Sequence, residues 1–134
     1  MRSFPRVAMT VAGAIALYFG APLAAQNAPH AVVVKMADAS GGQFVFQPAA
    51  VVAQRGDTLR FVQASSTPHN VAFRKTASGS RLGSASTGPY LLTPGQTYDL
   101  VIDNRFTDGD YTFVCDPHEG AGMHGSLTVG ASSK

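Results

Sequence analysis

The residues of this 134-residue chain best suited to chemistry are one cysteine, two histidines and a methionine. Cys115, His118 and Met123 stand in the segment CDPHEGAGM, a C-x2-H-x4-M spacing, and His69 lies far upstream in TPHNV. One thiolate, two imidazoles and one thioether form a donor set for copper. The soft sulfurs favour Cu(I), the imidazoles accept Cu(II), and a plane of two His and one Cys with a long axial Met tolerates both. An ion held alike in two valences needs little reorganisation, so one-electron exchange should be fast. Structural zinc draws on four cysteines or a Cys and His mixture and has no use for Met. A binuclear copper centre needs a second cysteine and haem attachment needs C-x-x-C-H; the chain contains neither.

Taken singly, each residue has a plainer explanation: a His at a strand end can be a hydrogen-bonded core residue, a Met packing, a free Cys a small buried hydrophobe. The combination of types and spacing is what points to a metal. Cys115 is also the only cysteine, so it can form no intramolecular disulfide. An unpaired thiol in an oxidising compartment is a liability unless something occupies it.

The elements that must position these residues read as strands. After residue 26 the chain alternates short runs rich in Val, Phe, Tyr and Thr with Gly, Pro, Asp and Ser clusters, without a sustained helical period. Strands are expected at 31–36, 43–47, 50–54, 58–63, 69–74, 97–102, 110–115 and 124–129, seven or eight in all, which implies an all-β sandwich. The Ser- and Gly-rich stretch 75–89 could hold a helical turn or only loop. Period-two alternation puts Leu59 with Phe61, and Tyr98 with Leu100 and Ile102, on core faces. The same parity sets His69 with Val71 and Phe73, Cys115 with Tyr111 and Phe113, and Met123 with Leu127 and Val129. Three of the four donors should therefore face inward at strand ends, while His124 falls on the polar face with Ser126 and Thr128.

The first 25 residues place Arg2 and Arg6 ahead of an apolar run closing on small residues, the layout of a secretory signal, with the domain at 26–134. The run barely reaches the roughly 20 residues that span a bilayer, so an uncleaved membrane tether is the lesser alternative to an exported periplasmic or extracellular protein. Without the leader, eight of the ten Lys and Arg residues remain against eight Asp and Glu. That formal neutrality gives no reason to expect nucleic acid as a partner, and one core suits the length.

Beyond these features, VVVKM, GGQFVFQP, RGDTLRFV, STPHNVAF, LLTPGQTY and DYTFVCDPHEGAGMHGSLTV follow in order the pattern of the plastocyanin-like cupredoxins, which the chain resembles over nearly its whole length. The resemblance implies a two-sheet Greek-key β-sandwich and one type 1 copper ion. It makes His69, Cys115 and His118 the equatorial ligands and Met123 the axial one. It gives the backbone N–H of Asn70 to the cysteine sulfur. Pro117, having no N–H, cannot supply a second donor, which should lower the reduction potential. His118 would be the electron exit, rimmed by Gly42, Phe44, Pro68, Pro117, Gly120 and Ala121, an apolar patch of the kind that marks an interaction site. The implied role is a monomeric one-electron carrier between redox proteins, such as a cytochrome or a copper or haem oxidoreductase, and not an enzyme with a small-molecule substrate.

Two departures bear on the partner. Plant plastocyanins carry a tyrosine before the cysteine and acidic residues after the His strand, where this chain has Val114 and Arg74-Lys75, so a photosynthetic role finds no support there. Arg74 and Lys75 could dock an acidic partner or be a solvated surface pair. Two other readings remain: copper storage, delivery or resistance, which the lack of Met- or His-rich tracts disfavours, and a Cys-His enzyme with Cys115 as nucleophile, for which no orienting third group is evident. A second weak metal site at His124 or His30 is a lesser alternative.

Overall fold

The computed structural model describes residues 29–130, so the leader assigned to residues 1–25 lies outside the described residues. Eight strands form two four-stranded sheets. In chain order they are β1 (Ala31–Ala39), β2 (Gln43–Gln47), β3 (Ala50–Ala53), β4 (Thr58–Gln63), β5 (Ala72–Lys75), β6 (Thr97–Val101), β7 (Gly109–Val114) and β8 (His124–Val129). The first sheet runs β2-β1-β4-β6 and the second β3-β8-β7-β5. Two pairings are parallel, β1 with β4 and β3 with β8, and the other four are antiparallel.

Alternation builds the core as the sequence predicts. Val34 and Met36 of β1, Leu59 and Phe61 of β4, Leu100 of β6, Tyr111 and Phe113 of β7, and Leu127 and Val129 of β8 are buried between the sheets. Phe113 sits at the centre of an aromatic cluster, edge-on to Phe46, Phe61 and Phe73. Its neighbour across the ladder is Gly125, where a β-carbon would overlap the Phe113 ring. Tyr111 turns its buried hydroxyl to the backbone of Thr107, accepting from its N–H at 2.9 Å and donating to its carbonyl at 2.8 Å. Both polar ends of that turn are thereby satisfied.

One expected strand is shorter than alternation suggests. The run 69–74 enters β5 only at Ala72, and His69, Asn70, Val71, Ala72 and Phe73 are all buried rather than alternately so. The segment before β6 pairs along the free edge of this stretch, and both faces of it are buried. His69 and Leu91 exchange backbone hydrogen bonds, Gly88 donates to the Val71 carbonyl, and Ala72 bridges Thr87. A strand covered on both faces loses its period-two signature. Within 75–89 the structure has one short 3-10 turn, Gly83–Ser86.

Candidate metal centre

Three donor atoms converge at one end of the sandwich. Nδ1 of His69 and Nδ1 of His118 are 3.2 Å apart, and Sγ of Cys115 lies 3.6 Å from the first and 3.4 Å from the second. A point equidistant from three corners so spaced lies about 2.0 Å from each, the length of a metal–imidazole bond and slightly short of a metal–thiolate bond. Atoms that carry lone pairs repel at such range unless a proton or a cation lies among them. His69 and Cys115 are fully buried and His118 is half-buried. The donors are thus those of a soft, borderline cation in a site closed on all but one side, and they fit copper.

Two segments deliver them. Cys115 follows the last residue of β7 and opens a 3-10 turn, Asp116–Ala121, with Pro117 in its first positions. His118 N–H donates to the Cys115 carbonyl at 3.1 Å, folding the imidazole back over the sulfur. Gly122 then closes the turn at φ 87°, a left-handed conformation that glycine adopts without the β-carbon clash. Met123 comes back beside its starting point: its N–H donates to the His118 carbonyl at 3.1 Å and its carbonyl accepts from Cys115 N–H at 3.2 Å. Met123 is fully buried at the entry to β8. The spacing C-x2-H-x4-M is therefore about two turns of 3-10 helix plus a glycine reversal.

The second segment brings His69 from the other side, locked to the first through Asn70 and Asp116. Burial pushes the Cys115 thiol pKa up, while the backbone amides of Asn70 and of His118 act against it by favouring the thiolate. Burial likewise depresses the pKa of His69, keeping the ring neutral as a donor must be.

Of the residues expected to rim His118, Phe44 is in ring contact with it. The Phe44 ring stacks on the imidazole with centroids 3.8 Å apart and planes at 23°. Gly42, Pro68, Pro117, Gly120 and Ala121 are exposed. Arg74 and Lys75 divide. A register shift in the β5–β7 ladder makes Arg74 the extra residue between Phe73 and Lys75, and such bulges re-aim a side chain. Its guanidinium meets Asp116 at 2.6 Å and Glu119 at 2.8 Å. The charge read as available for docking is engaged by the two acidic residues of the ligand turn, although Arg74, like Lys75, stays exposed. His124 is exposed on β8, its Nε2 3.1 Å from the Glu119 carbonyl oxygen.

Sequence reasoning missed the residues behind His69. Nε2 of that ring lies 3.1 Å from Ser65 Oγ and 3.3 Å from Asp38 Oδ1. Thr67 Oγ1 donates to the other Asp38 oxygen at 2.8 Å. The buried Gln63 amide donates to the carbonyls of Thr67 and Leu91, fixing both chains that flank the ring. Asp38 stands on the first sheet and carries no sequence signal linking it to a histidine 31 residues away.

A two-sheet β-sandwich holding a His-Cys-His cluster at one end is the architecture of a single-copper protein. Comparison with known families agrees: the profile described as copper binding proteins, plastocyanin/azurin family, matches residues 32–130. The chain belongs to that family, and it is a copper-binding electron carrier. It is 38% identical over 100 residues to plastocyanin of Scenedesmus fuscus, covering 73% of this chain and 98% of the relative. Among solved structures it is similar to oxidised plastocyanin from Dryopteris crassirhizoma, at 30% identity and a TM-score of 0.59, with 73% and 99% of the two chains covered. It is also similar to pseudoazurin from Methylobacterium extorquens AM1, at 31% identity and a TM-score of 0.55 over 78% of each chain.

Proposed function

We propose that Nδ1 of His69, Sγ of Cys115 and Nδ1 of His118, together with the Met123 sulfur, would hold one copper ion, and that the protein carries single electrons between exported or membrane-bound redox proteins. The observation that supports this most directly is the triangle of donors with sides of 3.2, 3.4 and 3.6 Å. The ion supplies the one-electron chemistry by alternating between Cu(I) and Cu(II). The protein's part is to keep the donors in place through both states. The closed turn from Cys115 to Met123 and the lock between Asn70 and Asp116 do this on the backbone.

Electrons enter and leave through His118, the donor nearest solvent. The Phe44 face and the exposed Gly42, Pro68, Pro117, Gly120 and Ala121 surround it with uncharged surface on which a cytochrome or a copper or haem oxidoreductase docks. The leader-like layout of the first 25 residues supports a location for that exchange outside the cytoplasm. A buried thiol whose pKa is raised is the opposite of an activated nucleophile, which speaks against enzymatic use of Cys115.

The test is addition of Cu(II) to the purified apoprotein. An intense visible band from thiolate-to-copper charge transfer, with a small copper hyperfine splitting in paramagnetic resonance and loss of thiol reactivity, is expected. Colourless protein with a freely reacting Cys115 would refute the reading.

A further inference from the structure

The carboxylate of Asp38 reaches from the end of β1 to the outer nitrogen of His69, across 31 residues and between the sheets. Every group near that nitrogen can accept a proton. The carboxylate is acceptor-only when ionised. The Ser65 hydroxyl lies 3.4 Å from the Thr67 carbonyl, where its own proton has an acceptor, leaving its lone pairs toward Nε2. Thr67 Oγ1 donates to Asp38 and so fixes the carboxylate from its far side. A neutral imidazole in this setting carries its proton on Nε2, and Nδ1, the nitrogen turned toward Cys115 and His118, is bare.

We propose that Asp38 is a positioning residue of this site, acting through His69: with Ser65 it fixes the Nε2–H tautomer, presents an unprotonated Nδ1 to the metal, and makes the ring a stronger donor to the oxidised ion than to the reduced one. A carboxylate behind a ligating imidazole orients the ring and raises its basicity, and its loss commonly costs 10- to 100-fold in metal affinity. The benefit is larger for the doubly charged ion, so the residue lowers the reduction potential. This rests on the copper reading above, but its first test does not.

In nitrogen-15 NMR of the wild-type apoprotein at neutral pH, His69 should be protonated at Nε2 alone; an Nδ1–H ring would overturn the proposal whether or not copper binds. The Asp38→Asn variant offers an amide that can donate to Nε2, so the ring should shift toward the Nδ1–H tautomer. Its Cu(II) affinity should fall about tenfold with Cu(I) affinity little changed, which for a one-electron couple is a rise in potential of about 59 mV. Thr67→Ser, which keeps the hydroxyl donor to the carboxylate, should leave the tautomer in place and the potential near the wild-type value. Equal potentials and tautomers in wild type and Asp38→Asn would sink the assignment. Failure of the wild type to take up copper would instead sink the functional reading and leave the tautomer result standing.

Discussion

Asn70 and Asp116 exchange two hydrogen bonds: the Asn70 side-chain Nδ2 donates to the Asp116 carboxylate at 2.7 Å, and the Asp116 backbone N–H donates back to the Asn70 side-chain oxygen Oδ1 at 2.8 Å. Each residue directly follows a donor, His69 on one side and Cys115 on the other. The pair therefore fixes the distance between two ligand segments 46 residues apart in sequence.

Replacing Asn70 by Ala leaves the Asp116 N–H without its partner in a part-buried position. The expected cost is about 1–3 kcal/mol of apoprotein stability. The ligand turn should also open more often, seen as faster reaction of Cys115 with a thiol reagent. Thermal unfolding and reagent kinetics on the metal-free variant measure the two effects; wild-type values in both would show that the pair does not set the spacing.

Acid should weaken the apoprotein in two stages. The buried His69 has a folded pKa below its ordinary 6.5, so the unfolded chain binds its proton first, and stability falls as pH drops below about 6.5. The carboxylates of Asp99, Asp103, Asp116 and Glu119, held down chiefly by hydrogen bonds from Arg60, Arg105, Asn70 and Arg74 respectively, lose their contribution only in more acid solution, below their ordinary values near 4. At the alkaline end Cys115, its pKa raised by burial, contributes stability that is lost as pH climbs above about 9. A melting-temperature profile of His69→Gln should lack the first acid stage that the wild type shows.

At Gly125 the sheet has no room for a side chain, because Phe113 occupies the space a β-carbon would take. Gly125→Ala should destabilise by about 1–3 kcal/mol, the usual cost of overpacking a tight core. Roughly 4–8 °C of melting temperature corresponds to each kcal/mol in a domain of this size. Calorimetry of the apoprotein checks it, and an unshifted midpoint would mean that Phe113 moves aside freely.

The proposed exit at His118 predicts a kinetic effect without a spectral one. Ala121→Asp should slow electron transfer to a protein partner while leaving the visible band of the copper form unchanged. Because Arg74 is already paired with Asp116 and Glu119, transfer should depend only weakly on salt. A steep fall with ionic strength would restore Arg74 and Lys75 as docking charges.

The sequence displayed the parts of this molecule that depend on local period and spacing. Leu59 and Phe61, or Leu127 and Val129, declare their faces by alternation, and CDPHEGAGM declares its donors by type. What stayed hidden is set by distant contacts. The alternation expected from His69 to Arg74 fails because residues 69–73 are buried on both faces, with the segment from Thr87 to Leu91 paired along their edge. Arg74 reads as a solvated cation until the bulge at its position turns it onto the ligand turn. Asp38 and Ser65 reach His69 from outside its own segment, and neither bears a mark that links it to a histidine. A single chain encodes such encounters in its folding, where no short window can expose them.

The strand order also bears on when the centre can exist. β1 and β8, the first and last strands, both lie inside their sheets, each with one parallel neighbour. Neither sheet closes by zipping up consecutive hairpins, and contacts that span much of the chain form slowly. Met123 is anchored at the entry to β8, so a nascent polypeptide still missing its final strand has no assembled pocket. In the proposed site, metal capture thus waits for β8 to pair, since Met123 enters the core only with that strand.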